Sequence, residues 1–373
     1  MLQGACHGRE ITLLVMSPSL ADYTTLRLGG PAGRMLEVKT DDELVAAVAE
    51  RDAAGEPVLL LGGGSNLVIA DSGFPGTVIR VCTEGRRIER VTSPGSGGGD
   101  RVRVEVAAGE DWDAFVAEMV EAGFGGLECM SGIPGRVGAT PIQNVGAYGW
   151  EVGDFLHSVR VYHRATGRRE TMEPSQLALG YRTSRFKGTD EAVVLAVTVD
   201  LYADGLSRPI RFAELARMLG VEQGARVPAA DVRQAVLQLR RTKGMVLDPD
   251  DHDTWSAGSF FTNPVLPAGE ADRAMRRIAE VVGGDVRIPT YPAPGDAVKF
   301  SAAWLIERAG FTKGHPGPGG RVSLSTKHTL ALTNRGSAST EDLLALAREV
   351  RDGVADRFGI VLHPEPLLIG CSL

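Results

Sequence analysis

The sequence predicts an α+β fold in two or three domains, and three observations carry that prediction. The chain has 373 residues, and roughly 100–200 residues make one domain. Trp112, Phe115, Val116, Met119 and Val120 fall on one helical face. Val193, Leu195, Val197, Val199 and Leu201 alternate with their neighbours, the period of a strand.

Residues 1–20 read as a poorly ordered N-terminal extension. Thr40-Asp41-Asp42-Glu43 has capping-box spacing ahead of Leu44, Val45 and Val48, so a helix starts there. Val58–Leu61 is a short apolar run that reads as a buried strand feeding Gly62. Residues 93–99 are Gly/Ser-rich and read as a hairpin tip or flexible loop. Val102, Val104 and Val106 alternate with charges, a half-buried strand, and Gly123 closes the helix that begins at Trp112. Residues 158–163 and 168–172 flank Ala165-Thr166-Gly167 as a hairpin. Helices are expected over 209–219 and 229–241, the first with proline near its start. Residues 243–253, rich in turn formers and acids, read as a linker into a new domain. Helices follow at 302–309 and 340–357, the latter with Leu343, Leu346, Ala347, Val350 and Val354 as its apolar stripe. Pro364-Glu365-Pro366 rules out helix locally.

Composition narrows the function. Apolar residues make up 43% and charged residues 23%, ordinary for a globular enzyme. A net charge of −7 argues against nucleic-acid binding but leaves room for a local basic pocket and an anionic small ligand. No apolar run approaches the ~20 residues that span a bilayer, so no membrane association is expected. The apolar stretch at residues 11–16 lacks a basic flank, so a signal peptide is not expected. Cys6, Cys82, Cys129 and Cys371 are scattered, with no CxxC pair and no zinc-ligand spacing to histidine. That usage suits a reducing cytoplasm and implies no metal.

The 47 glycines cluster in loops. Gly62-Gly63-Gly64-Ser65-Asn66 follows a strand and is neither GxGxxG nor a P-loop. By itself it reads first as a tight turn; it could also gather backbone N–H groups around an anion. The second loop is richer: Ser131-Gly132-Ile133-Pro134-Gly135-Arg136-Val137-Gly138-Ala139-Thr140-Pro141, then Gln143-Asn144-Val145-Gly146-Ala147-Tyr148-Gly149. Long structured loops in compact domains are usually functional, so this one reads as a binding loop.

Those two loops, with Tyr23-Thr24-Thr25-Leu26-Arg27-Leu28-Gly29-Gly30, resemble the UDP-N-acetylenolpyruvoylglucosamine reductases, members of the FAD group typified by vanillyl-alcohol oxidase. The resemblance runs from about Tyr23 to Gly370. It implies a vanillyl-alcohol-oxidase-like fold of two α+β FAD-binding subdomains, 21–80 and 81–242, and a C-terminal α+β substrate domain, 243–361. Residues 362–373 would return to the first subdomain. Non-covalent FAD would lie against Gly62, Gly63, Gly64, Ser65, Asn66, Ser131, Gly132, Ile133, Pro134, Gly138, Ala139, Gln143, Asn144, Gly146 and Ala147. NADPH would reduce FAD and leave, and a UDP-sugar, UDP-N-acetylglucosamine enolpyruvate, would take its place. The resemblance implies no obligate protein partner.

Reducing an enolpyruvyl ether needs a hydride, stabilisation of the charge that develops beside the carboxylate, and a proton. Tyr181-Arg182-Thr183-Ser184-Arg185-Phe186-Lys187 reads in isolation as a solvated basic turn, though an arginine fork also suits a planar carboxylate. It resembles the family motif Tyr-Arg-x-Ser-x-Phe-Lys, and Arg182 matches the catalytic arginine. Gly258-Ser259-Phe260-Phe261 reads locally as a turn or cap. The resemblance makes Ser259 the proton donor, with Phe260 and Phe261 able to exclude water, and Asn263 a contact of the nucleotide. Glu365 sits between two prolines, equally a surface turn or a fixed acid. The matching glutamate acts with the arginine on the enol carboxylate, so Glu365 would need its protonated form or a hydrogen-bonded pairing. Tyr148 and Lys243 match contacts to the UDP-sugar. Phe212 stands where such chains often have tyrosine, which leaves that loop to stack or shield. The other histidines, His328 among them, read as surface or structural groups.

Two rivals remain at this point. Oxidases of the same FAD group often tether flavin through a histidine, and neither glycine loop contains one. A flavin-binding regulatory protein would have no need for Arg182, Ser259 and Glu365 to converge.

Overall fold

A computed structural model describes residues 17–91 and 100–373, and the expected loop at 93–99 and most of the N-terminal extension lie outside these. The described chain opens with a short 3-10 turn at Leu20–Tyr23. Leu20 is 0% exposed and packs with Ala32, Met35, Leu61, Ile69 and Val78. Burial of that one side chain places the start of the packed chain at about residue 20.

The first layer is β1 (Ala32–Val38), α1 (Asp41–Ala54), β2 (Val58–Leu61), β3 (Leu67–Ile69) and β4 (Phe74–Val81). β1 and β2 flank β4, all parallel. The capping box forms as expected: Thr40 accepts from the Glu43 N–H, and Glu43 accepts from the Thr40 N–H. Gly55, at φ 64°, ends the helix in the left-handed region.

The second layer is β5 (Arg86–Val91), β6 (Arg101–Ala107), α2 (Trp112–Glu121), β7 (Gly146–Ala147), β8 (Trp150–Glu151), β9 (Leu156–His163), β10 (Arg169–Met172), β11 (Ala192–Tyr202), α3 (Ala213–Leu219) and α4 (Ala229–Thr242). Its main sheet is antiparallel, in the order β10-β9-β11-β6-β5. β6 shows the expected alternation, with Val102, Val104 and Val106 inward. In β11 the even-numbered Val194, Ala196 and Thr198 are buried too, because a central strand is covered on both faces. The helix expected over 209–219 begins only at Ala213. Ile210 N–H donates to Ala225 and its carbonyl accepts from Gly224, which holds the segment before Phe212 extended.

The third layer is β12 (Val265–Leu266), α5 (Ala268–Val282), β13 (Thr290–Pro292), β14 (Val298–Phe300), α6 (Ala302–Ala309), β15 (Val322–Leu324), β16 (Leu332–Asn334), α7 (Thr340–Phe358) and β17 (Leu367–Ile369). β17 pairs in parallel with β3, so the chain's end does return to its start. Residues 243–253 are not a loose tether. Asp253 is buried, accepts from Thr326 N–H and pairs with Arg335 at 2.9 Å.

Two larger cores divide the molecule. One combines β1, α1 and β4 with the main antiparallel sheet, α2 and α4, so the step from residue 80 to 81 crosses no break in packing. The other gathers α5, α6 and α7 around Phe260, Phe261 and Phe300, and takes in Leu26, Leu28 and Val68 from the first layer. Asp71 fixes that junction by accepting from Thr340 N–H at 2.7 Å and Glu341 N–H at 3.1 Å, the first turn of α7. No helix among the described residues is long and apolar enough to cross a membrane.

Candidate active site

The two glycine loops touch. β2 delivers Gly62–Asn66 to the edge of the second layer, where Asn66 Nδ2 donates to Gln143 Oε1 at 2.8 Å. A Cβ at Gly63 would lie 2.7 Å from Gly135 Cα, closer than real Cβ atoms come to backbone. Gly64 has φ +60°, and a Cβ there would meet the Tyr23 carbonyl at 1.9 Å, so the Tyr23–Gly30 segment is the third wall. The N–H groups of Gly63, Gly64, Ser65 and Asn66 donate to no acceptor among the described residues. Consecutive unclaimed donors in a tight turn form a nest for an anion, and a diphosphate fits it. Across the gap, Ile133, Gly135 and Gln143 likewise keep their N–H groups free of acceptors among the described residues.

Other expected cofactor residues also have partners within the protein. Ser131 is 0% exposed, and its hydroxyl donates to the Glu128 carbonyl at 2.7 Å. That bond braces the loop from within. Gly132 donates to Asp113 Oδ1 at 2.6 Å, Gly138 to the Ala108 carbonyl and Ala139 to the Arg136 carbonyl. Asn144 is buried; its amide donates to Glu151 at 2.8 Å and to the Gly180 carbonyl, and accepts from Gly153 N–H. These residues shape the loop that presents Ile133, Pro134, Gln143, Gly146 and Ala147.

Arg182 and Glu365, distant in sequence, are brought together, and the segment that carries Ser259 runs beside the Glu365 backbone. Arg182 Nε lies 3.2 Å from Glu365 Oε1, and its Nη2 donates to the Gly146 carbonyl at 2.8 Å. The arginine therefore bridges the second glycine loop and the returning C-terminal segment. Lys187 Nζ donates to the Arg182 carbonyl at 2.9 Å and adds a second cation near Glu365. Burial pushes the Glu365 carboxyl above its ordinary range, and Arg182 and Lys187 oppose the rise. Burial also lowers Lys187.

Ser259 sits on an extended segment held on both sides. Phe260 N–H donates to the Leu330 carbonyl at 2.7 Å, and Glu365 N–H donates to the Phe260 carbonyl at 2.8 Å. Gly258, at φ +72°, supplies the left-handed turn before it. Phe260 and Phe261 are each 1% exposed, packed inside the C-terminal core. They anchor the segment rather than roof the site, a correction. Ser259 Oγ lies 3.4 Å from His328 Nε2.

The expected substrate residues ring this centre. Tyr148, with φ 52°, meets Phe212 edge-on at 5.4 Å between ring centres, and burial raises its phenol. Asn263 accepts from Ala302 N–H at 2.9 Å and lies within hydrogen-bonding reach of Tyr181. Lys243 Nζ pairs with Glu214 at 2.8 Å and also faces His328. Lys299 Nζ stands 4.6 Å from the centre of the Tyr181 ring. His328, Lys187 and Lys299 also lie near these residues and were not among the expected site residues. Lys187 stood in a quoted motif; for the other two no local signal exists, since their partners are brought by chain crossings.

Two glycine loops closing on one anion nest suit the diphosphate of a nucleotide cofactor. Residues 32–173 match the FAD binding domain, which makes the class an FAD flavoprotein. Residues 248–369 match the C-terminal domain of UDP-N-acetylenolpyruvoylglucosamine reductase. The enzyme of that name from Saccharopolyspora erythraea is 59% identical over 355 residues, covering 95% of each chain. That of Thermobifida fusca is 58% identical over 355 residues, 95% of this chain and 97% of its own. The crystal structure of UDP-N-acetylenolpyruvylglucosamine reductase from Thermus caldophilus superposes with a TM-score of 0.61 at 26% identity, covering 94% of this chain and 97% of its own. The chain belongs to the UDP-N-acetylenolpyruvoylglucosamine reductase family.

Proposed function

We infer that this chain reduces UDP-N-acetylglucosamine enolpyruvate to UDP-N-acetylmuramate, with NADPH as electron donor and FAD as carrier, in peptidoglycan precursor synthesis. Family membership supports the reaction. The observation that supports the residue roles is the 3.2 Å pair of Arg182 and Glu365 beside the segment that carries Ser259.

When bound, FAD would supply the hydride that the reduction of the alkene needs. The protein's part is electrostatics, orientation and a proton. Gly63–Asn66 and the N–H groups of Ile133, Gly135 and Gln143 would hold the cofactor's diphosphate. Arg182 meets the enol carboxylate and stabilises charge that spreads into it; its fork and permanent charge suit that task. Glu365, its carboxyl raised by burial, hydrogen-bonds to the arginine and acts with it on the same carboxylate. Ser259 gives its hydroxyl proton to the remaining carbon. Lys243, Tyr148 and Asn263 hold the UDP-sugar, with residues 243–361 as the substrate domain and 21–242 with 362–373 as the FAD-binding part. The net charge of −7 and the scattered cysteines support a cytoplasmic enzyme without nucleic-acid, membrane or obligate protein partners.

The two half-reactions can be measured apart, which tests the roles. Ser259→Ala is expected to leave flavin reduction by NADPH intact and to slow reoxidation by the enolpyruvate substrate at least about 100-fold, the scale of a lost general acid. Unchanged reoxidation would remove Ser259 from the mechanism.

A further inference from the structure

The mechanism leaves one half-buried titratable group beside Ser259 without a task. His328 Nε2 lies 3.4 Å from Ser259 Oγ, across 69 residues of sequence. Its place is built. The Ser325 hydroxyl accepts from the N–H groups of Lys327 at 3.0 Å and His328 at 3.2 Å, which folds the loop back on itself. Thr326 N–H donates to buried Asp253 at 3.0 Å, which ties the loop to residues 243–253. Two residues on, the Leu330 carbonyl accepts from Phe260 N–H at 2.7 Å. The segment bearing Ser259 is thus pinned between the His328 loop and the Glu365 segment. The ring is mostly buried and faces the cations Lys243, Lys313 and Arg240, and these influences push its pKa down to about 4. At neutral pH the imidazole is uncharged, and a neutral ring has one N–H and one bare nitrogen.

A serine that gives up its proton needs that proton turned to the substrate and a donor aimed at its own oxygen. We propose that His328 is a positioning residue for Ser259: Nε2–H donates to the serine oxygen, directs the hydroxyl proton toward the substrate carbon, and stabilises the oxygen as that proton leaves. In the step, the Ser259 O–H bond breaks, the proton bonds to carbon, and the electron pair stays on Oγ, facing Nε2–H. Solvent water then returns a proton to Oγ, and the ring ends as it began. This inference rests on Ser259 being the acid.

The tests separate the two ideas. In His328→Phe, reoxidation by UDP-N-acetylglucosamine enolpyruvate should fall about 10- to 100-fold, within the range of a general-acid contribution, while reduction by NADPH keeps its rate. His328→Gln, whose amide can replace the donor, should recover part of the loss. Placed on Ser259→Ala, His328→Phe should add no further slowing. In the wild-type protein free of substrate, nitrogen-15 NMR of labelled histidine should show His328 protonated on Nε2 and bare on Nδ1. A bare Nε2 overturns the proposal, as does additivity with Ser259→Ala or equal slowing of both half-reactions. Should His328→Phe fail to fold, the NMR assignment and His328→Gln decide alone: full loss in the glutamine variant counts against it. If Ser259→Ala itself reoxidises at the wild-type rate, the acid assignment fails first.

Discussion

Arg182, Asn144 and Tyr148 all hold left-handed backbone, at φ 54°, 46° and 52°, although none is glycine. Such positions cost on the order of 1–3 kcal/mol and persist only where neighbours over-determine them. The neighbours are visible: Lys187 and Gly146 hold Arg182, and Glu151, Gly153 and Gly180 hold Asn144. Strain gathered around one cleft aims side chains that a relaxed loop would not. Glu365 shows what the cleft does to a charge. Burial raises its pKa, so its neutral form persists above the ordinary carboxylate range and is lost as pH climbs through the raised value. A neutral Glu365 does not repel the substrate's carboxylate, so the reoxidation rate should fall on the alkaline side of that value. Glu365→Gln cannot ionise, and its rate-versus-pH curve should lose that limb; an unchanged limb would assign it to another group. The chemistry of these residues was legible only through the family motifs. Pro-flanked Glu365 and Gly-preceded Ser259 are ordinary turns by local pattern, and the chain crossings that join them leave no local trace.

Elements with local causes were legible in the sequence. α1 follows from the Thr40 capping box and β6 from three alternating valines. What the sequence hid was set by distant partners. α3 starts late because Ile210 is paired with residues 224 and 225, and α5 and β15 acquire meaning only inside the C-terminal core. Two junctions between elements can be tested. Gly63→Ala pushes a methyl against Gly135 backbone, so the glycine loops must separate; the variant should fold yet lose FAD on gel filtration, seen as loss of visible absorbance. Retention of FAD would mean the loops need not touch. Asp71→Ala removes the carboxylate that caps α7 from the first layer. It should destabilise the protein by about 0.5–2 kcal/mol in denaturant unfolding, the scale of a lost helix cap. Hydrogen exchange should rise first at the start of α7.

At the scale of the whole molecule, one site is assembled from every part of the chain. The first layer gives the nest, the second gives the facing loop and Arg182, the third gives Ser259 and His328, and the last residues bring Glu365 back beside β3. Cations collect there, Arg182, Lys187, Lys243 and Lys299, in a chain whose net charge is −7. That contrast suits a polyanionic sugar nucleotide and its polyanionic cofactor in an otherwise acidic protein. Site residues drawn from all three layers suit the proposed reaction, in which electrons enter from NADPH and leave to the enolpyruvate. The most direct test is an anaerobic absorbance titration of the protein loaded with FAD. NADPH should bleach the visible flavin band, and UDP-N-acetylglucosamine enolpyruvate, added next without oxygen, should restore it with one equivalent of substrate consumed. A band that NADPH bleaches but only oxygen or another acceptor restores would contradict the assigned reaction.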